Sequence, residues 1–213
     1  MRSQQKLFGK AILCFGLLLF ANLCAADEQG QRLREFLKDL TSLSTPFEQT
    51  LLSQYGEELD KSRGMLYVQR PGKFHWAYSE PYVQNLISDG DTLWIYDEDL
   101  EQVTIRDVAS IIEDSPAALL GGDIDIDEHY VLLDAAIDSE LDWLELTPRD
   151  EESQYAAIRI GFAGDELQKM ILFDALGQTT QIEFGQVKRN LELDRELFQF
   201  SPPADVDVID SRE

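Results

Sequence analysis

Catalytic chemistry has little to work with in this chain. Its histidines are His75 and His129, its cysteines Cys14 and Cys24, and it contains no Gly-x-Ser-x-Gly elbow or phosphate-cradling glycine loop. His75 falls on a strand face read as outer, where a surface role is the plainest. Asp and Glu number 41, so a pair suited to acid–base work would arise by chance and singles out nothing. Asp123-Ile124-Asp125-Ile126-Asp127 opens like a Ca²⁺ loop, but Glu128 stands at the sixth position, where a glycine must make the sharp turn, and Asp134 at the twelfth. The run reads instead as a solvated edge strand, acids outward and Ile124 and Ile126 inward. These residues speak against an enzyme, and no cofactor or metal is expected.

Both cysteines lie in an N-terminal segment unlike the rest. Arg2, Lys6 and Lys10 precede an apolar run from Ala11 to Leu23, and Cys24-Ala25-Ala26 places small residues before Asp27. That order predicts a secretory signal peptide over 1–26, cleaved after Ala26. The run is shorter than the roughly 20 apolar residues of a membrane anchor. A lipidated cysteine follows Leu and two small residues, whereas Ala21-Asn22-Leu23 precedes Cys24, so lipidation is not expected. Removing 1–26 leaves no thiol and therefore no disulfide or thiolate metal site.

The elements that must position any site are mostly strands. Leu33, Phe36, Leu37, Leu40 and Leu43 recur at three- and four-residue spacing, predicting an amphipathic helix over Gln31 to Leu43, stopped by Pro46. The period then changes to two. Strands are expected at Phe47 to Ser53, Gly64 to Arg70, Lys73 to Tyr78, Val83 to Ser88, Thr92 to Tyr96 and Gln102 to Ile105. Turn chemistry at Pro71-Gly72 and Ser88-Asp89-Gly90-Asp91 separates them. Ser115-Pro116 to Gly121 carries an N-cap residue, a first-turn proline and a glycine stop, which predicts a short helix. Strands resume at Asp142 to Thr147, Gln154 to Phe162, Glu166 to Phe173 and Thr179 to Val187. About ten short strands without a low-complexity linker predict one domain over 27–213, a large antiparallel sheet that curls or splits.

Charge narrows the class further. Only 18 Lys and Arg offset those acids, a formal charge of −23, so nucleic acid and anionic bilayer surfaces are excluded as partners. Such acidity would repel anionic lipid and favour a basic patch on a protein partner; a saline habitat would give similar acidity.

Strand parity places Leu66, Val68 and Arg70 on one face, and Phe74, Trp76 and Tyr78 on the matching face of the next strand. An ordinary sheet core is the plain reading of such a stripe. An inward Arg70 argues against complete filling, because its five donors need partners; a surface ion pair is the alternative.

The stretch Gly64-Met65-Leu66-Tyr67-Val68-Gln69-Arg70-Pro71-Gly72-Lys73-Phe74-His75-Trp76 resembles the signature of the LolA family, periplasmic carriers of outer-membrane lipoproteins in Gram-negative bacteria. The similarity continues through Pro81, Ser88 to Asp97 and Pro116 with Leu119-Leu120, and reaches Phe198-Gln199-Phe200-Ser201-Pro202-Pro203.

The resemblance implies a mainly β fold with helices, α+β: an unclosed antiparallel β-barrel with a helical lid over a hydrophobic cavity. It implies a monomeric periplasmic carrier that takes triacylated lipoproteins from an inner-membrane ABC lipoprotein-releasing complex to an outer-membrane receptor lipoprotein. An outer-membrane receptor, or another lipid-binding envelope protein of the same fold, is the alternative; the sequence before Cys24 favours the soluble carrier. In the family the matching arginine bonds backbone carbonyls of the lid, which makes Arg70 the expected latch and Pro116, Leu119 and Leu120 the lid helix. Acyl-cavity lining is expected from Phe47, Leu66, Val68, Phe74, Trp76, Leu86 and Trp94. Carriers of this kind often have bulky residues where this chain has Ala117-Ala118, which shifts the lid's weight onto Leu119 and Leu120.

Overall fold

The computed structural model describes residues 28–108, 116–122, 125–135 and 140–212. The expected signal peptide, both cysteines, Ser115, Asp123 and Ile124 lie outside them. Helix α1 (Glu28–Lys38) leads into strands β1 (Ser42–Leu52), β2 (Glu58–Gln69), β3 (Lys73–Glu80), β4 (Gln84–Asp89), β5 (Thr92–Asp97) and β6 (Gln102–Asp107). Two short helices follow, α2 (Pro116–Gly121) and α3 (Ile126–His129). Then come β7 (Tyr130–Ala135), β8 (Asp142–Pro148), β9 (Tyr155–Ala163), β10 (Glu166–Asp174), β11 (Thr179–Phe184), β12 (Lys188–Arg189) and β13 (Asp207–Asp210).

Among the described residues these strands make one sheet in the order β13-β6-β5-β4-β3-β2-β1-β11-β10-β9-β8-β7, with β12 also on β1. The order has two ends, so the curled sheet is not closed. Neighbours are antiparallel except β13, which runs parallel to β6. No described helix is long and apolar enough to cross a membrane.

Parity decides the two faces. On the inner face, Leu66, Val68, Phe74 and Trp76 from β2 and β3, and Leu144, Leu146, Ile158, Ile160 and Phe162 from β8 and β9, are buried in one apolar core. Helix α1 packs on β7 and β8, with Phe36 edge-on to Phe162 at 5.5 Å, and α2 packs on β2 and β3. The outer face of β8 to β11 mixes Trp143, Ile171 and Phe173 with ion pairs. There Glu145 meets Arg159 at 2.7 Å and Glu183 meets Lys169 at 2.9 Å, each pair directly opposite across neighbouring strands. Over β3 and β4 the outer face is covered by the 3₁₀ turn Arg195–Phe198, whose Phe198 is buried.

Three expectations need correction. The helical spacing of Leu40 and Leu43 does not carry helix: α1 ends at Lys38, and Leu43 belongs to β1, whose Leu43, Thr45 and Phe47 alternate inward. Pro46 is therefore no helix stop. It sits inside β1 where the neighbouring strand changes from β11 to β12, so no ladder donor is needed there, and its carbonyl still accepts the Gly185 N–H at 2.8 Å. Likewise the expected edge strand at 123–127 is helical in its described part. Asp125 caps α3 by accepting the Asp127 N–H at 3.0 Å, and Ile126 is buried. Asp127 pairs with Arg34 of α1 at 2.7 Å through each oxygen, and that guanidinium holds its carboxyl below the usual range.

Candidate functional site

Cross-strand register assembles the site. Leu66, Trp76 and Leu86 lie directly opposite one another on β2, β3 and β4, and Val68 faces Phe74 one row nearer the Arg70 turn. Phe47 enters from β1, edge-on to Trp76 and to Tyr78, each at 5.1 Å. Six of the seven expected lining residues thus share the helix-covered face. Trp94 does not. It lies opposite Ile87 and Ile105 on the outer face, 6.3 Å from the ring of Phe200.

The apolar hollow expected from the resemblance is filled in this conformation by the chain's own helices. Leu66 and Val68 are fully buried, and Leu33, Phe36, Leu37, Leu119 and Leu120 from α1 and α2 complete the same core. Helix α2 can come this close because of Gly121, where a Cβ would stand 3.3 Å from Val68 Cγ1. On the same face a cavity of about 430 Å³ lies open at the end of β1 to β4 farthest from α2, its lining including Gln49, Tyr78, Gln84 and the acids Asp60, Glu80 and Asp97. The Tyr78 hydroxyl donates to Gln49 Oε1 at 3.1 Å, and burial raises its pKa well above the ordinary value, so it stays protonated.

Arg70 stands just beyond β2, in the turn to β3. Its Nη1 donates to the Leu37 carbonyl at 2.6 Å. Leu37 belongs to the last turn of α1, where carbonyls lack their i+4 partners and a cation is favoured; the same oxygen also accepts the Leu40 N–H at 3.3 Å. The expected acceptors lay in the helix over 115–120; the described acceptor instead lies in α1. The second helix is held by the main chain of the same turn, Gly72 N–H donating to Gly121 O at 2.8 Å, while Arg70 N–H donates to Thr41 O at 2.9 Å. One turn therefore grips the ends of both helices. Pro116, Leu119 and Leu120 do lie in α2, with both leucines buried. The part of α1 was not read from the sequence, although a helix end beside an arginine turn is a signal that could have shown it.

The face assignment predicts a contrast. Trp94→Ala should leave binding of an acyl probe within about twofold and modestly speed proteolytic cleavage between residues 199 and 206, because Phe200 loses one of its two ring contacts and keeps that with Tyr96 at 5.4 Å; limited proteolysis beside probe titration checks both. A Trp94→Ala variant that loses probe binding would return Trp94 to the lining.

A family model described as "Outer membrane lipoprotein carrier protein LolA" matches residues 38–201. A protein of Dechloromonas aromatica (strain RCB), named "Outer-membrane lipoprotein carrier protein", is 40% identical over 197 residues, covering 92% of this chain and 93% of that protein. One of Methylococcus capsulatus with the same name is 38% identical over 201 residues, covering 94% and 95%. A third, from Nitrosospira multiformis, is 39% identical over 205 residues, covering 96% and 99%.

Proposed function

The chain belongs to the LolA family of outer-membrane lipoprotein carrier proteins, and on that premise we propose that it shelters the acyl chains of lipoproteins in transit through the periplasm. It is a carrier rather than an enzyme. Residues 1–26 direct secretion and are removed, and 27–213 act as a single monomeric domain. An inner-membrane ABC lipoprotein-releasing complex loads it, and an outer-membrane receptor lipoprotein unloads it.

The observation that carries this reading is the apolar inner face roofed by two helices held at their ends by one turn. A triacylated anchor has on the order of 45 methylenes. At about 0.8 kcal/mol each, its exposure to water opposes release by tens of kcal/mol. A protein that covers those chains must also surrender them. Helix side chains that fill the face when it is empty meet both needs: the acyl chains displace Leu33, Phe36, Leu119 and Leu120, and the helices return when cargo leaves. Arg70 is the latch, closing through Leu37 O.

The test incubates the mature protein with spheroplasts. Lipoprotein appearing in the soluble fraction, bound to the protein, is the expected result. Lipoprotein that stays with the membrane, at any concentration of added protein, contradicts the carrier role.

A further inference from the structure

Among the described residues, three buried side-chain polar atoms lack a hydrogen-bond partner: Gln29 Oε1 in α1, His75 Nδ1 on the outer face, and Trp76 Nε1. Trp76 is the one on the inner face of the sheet, and it is 3% exposed. A buried N–H without an acceptor is costly, and in native proteins each such group calls for an explanation.

Its place in the fold supplies one. Along β3 the inner residues run Phe74, Trp76, Tyr78, Glu80, so the face passes from hydrocarbon through a protonated phenol to a carboxylate. The neighbouring β4 repeats the change, with Leu86 opposite Trp76 and Gln84 opposite Tyr78. Trp76 therefore stands one row from the cavity of about 430 Å³, its ring 6.3 Å from that of Tyr78, which shares the intervening row with Phe47. An amphiphile lying along this gradient brings its first polar atoms, the ester carbonyls joining acyl chains to glycerol, to the Trp76 row. An ester carbonyl accepts hydrogen bonds and donates none, which matches a lone N–H donor.

We propose that Trp76 Nε1–H donates to an ester carbonyl of the bound diacylglyceryl group, so that acyl chains lie toward the Arg70 turn and the cargo's polypeptide leaves past Gln84 and Glu80. This rests on the carrier reading and adds to it a fixed orientation and a preference for esters over plain hydrocarbon. Trp76 is here a positioning group for the polar junction as well as a wall of the cavity.

The test compares two probes on the mature protein: a diacylglyceryl-cysteinyl peptide and its dialkyl-ether analogue of equal chain length. Wild type should bind the ester about three- to tenfold more tightly, the range one neutral hydrogen bond spans. Trp76→Phe keeps the aromatic area and loses the donor, and it should bind both probes equally. Its thermal midpoint is recorded to confirm folding. Independently of any variant, the ¹H–¹⁵N resonance of the Trp76 indole should move downfield with the ester and stay nearly still with the ether. Equal affinity of wild type for the two probes, or an indole signal that responds identically to both, overturns the inference and leaves the carrier reading standing. Failure of wild type to bind either probe overturns both.

Discussion

Arg70→Leu is expected to slow the hand-off of bound lipoprotein by about ten- to a hundredfold while leaving uptake intact. The Arg70 guanidinium bonds the Leu37 carbonyl at 2.6 Å with α1 packed on the sheet. A charge-assisted bond of this kind contributes about 1.5–3 kcal/mol, which corresponds to that span of equilibrium constants. On the proposed reading cargo and closed roof compete for the same apolar face, so removing a closed-state bond should raise the protein's hold on cargo by the same factor. Leucine keeps most of the bulk. The main-chain bonds from Arg70 to Thr41 and from Gly72 to Gly121 are untouched, so the fold should persist and the thermal midpoint change little. The measurement is the transfer rate of labelled lipoprotein to acceptor membranes bearing the receptor. A variant that delivers at the wild-type rate removes the latch from the account.

A larger effect on the fold itself is expected from Gly64→Ala. Gly64 lies in β2 beside a register shift against β3, opposite both Phe47 and Tyr78. A Cβ built there would stand 1.9 Å from the Ala77 carbonyl oxygen and 2.8 Å from its carbon. Both are backbone atoms of the adjacent strand, which cannot give way without opening the ladder that carries Phe74 and Trp76. Strain of this order belongs among the exceptional substitutions, costing more than about 4 kcal/mol. Gly56→Ala provides the contrast. Nothing lies within 4 Å of its Cβ, and only the positive φ of 79° penalises it, by about 1 kcal/mol. Urea unfolding of the two variants should therefore differ sharply. A Gly64→Ala protein as stable as Gly56→Ala would show that β2 and β3 can separate there at little cost.

Much of this architecture was legible in the residues because alternation and turn chemistry agree. β3, β5 and β10 begin at the expected residues, and Pro71-Gly72 and Gly90-Asp91 do separate strands. The site was readable wherever parity passes unchanged between strands. β3 and β4 pair even-numbered residues with even, so Phe74, Trp76 and Leu86 share the inner face as their spacing predicts. Trp94 was misplaced because the next hairpin pairs Ser88 with Leu93, which puts even residues of β4 opposite odd ones of β5. Only the loop length sets that switch, and composition does not encode it. Arg70 was identified through the family resemblance, but its described acceptor depends on where α1 ends. Leucines at helical spacing ran on into β1 and hid that end, since pairing across the sheet overrides a local period.

If acyl chains enter the face covered by α1 and α2, as proposed, neighbouring strands offer a direct comparison. Leu86 and Trp94 lie on β4 and β5 but on opposite faces. A photoreactive benzophenone residue placed at each position in turn, followed by irradiation with a triacylated lipopeptide and mass analysis, reads which face meets the lipid. The predicted result is an acyl adduct from position 86 and none from position 94. Adducts from position 94 alone, or equally from both, would contradict entry of the acyl chains beneath α1 and α2.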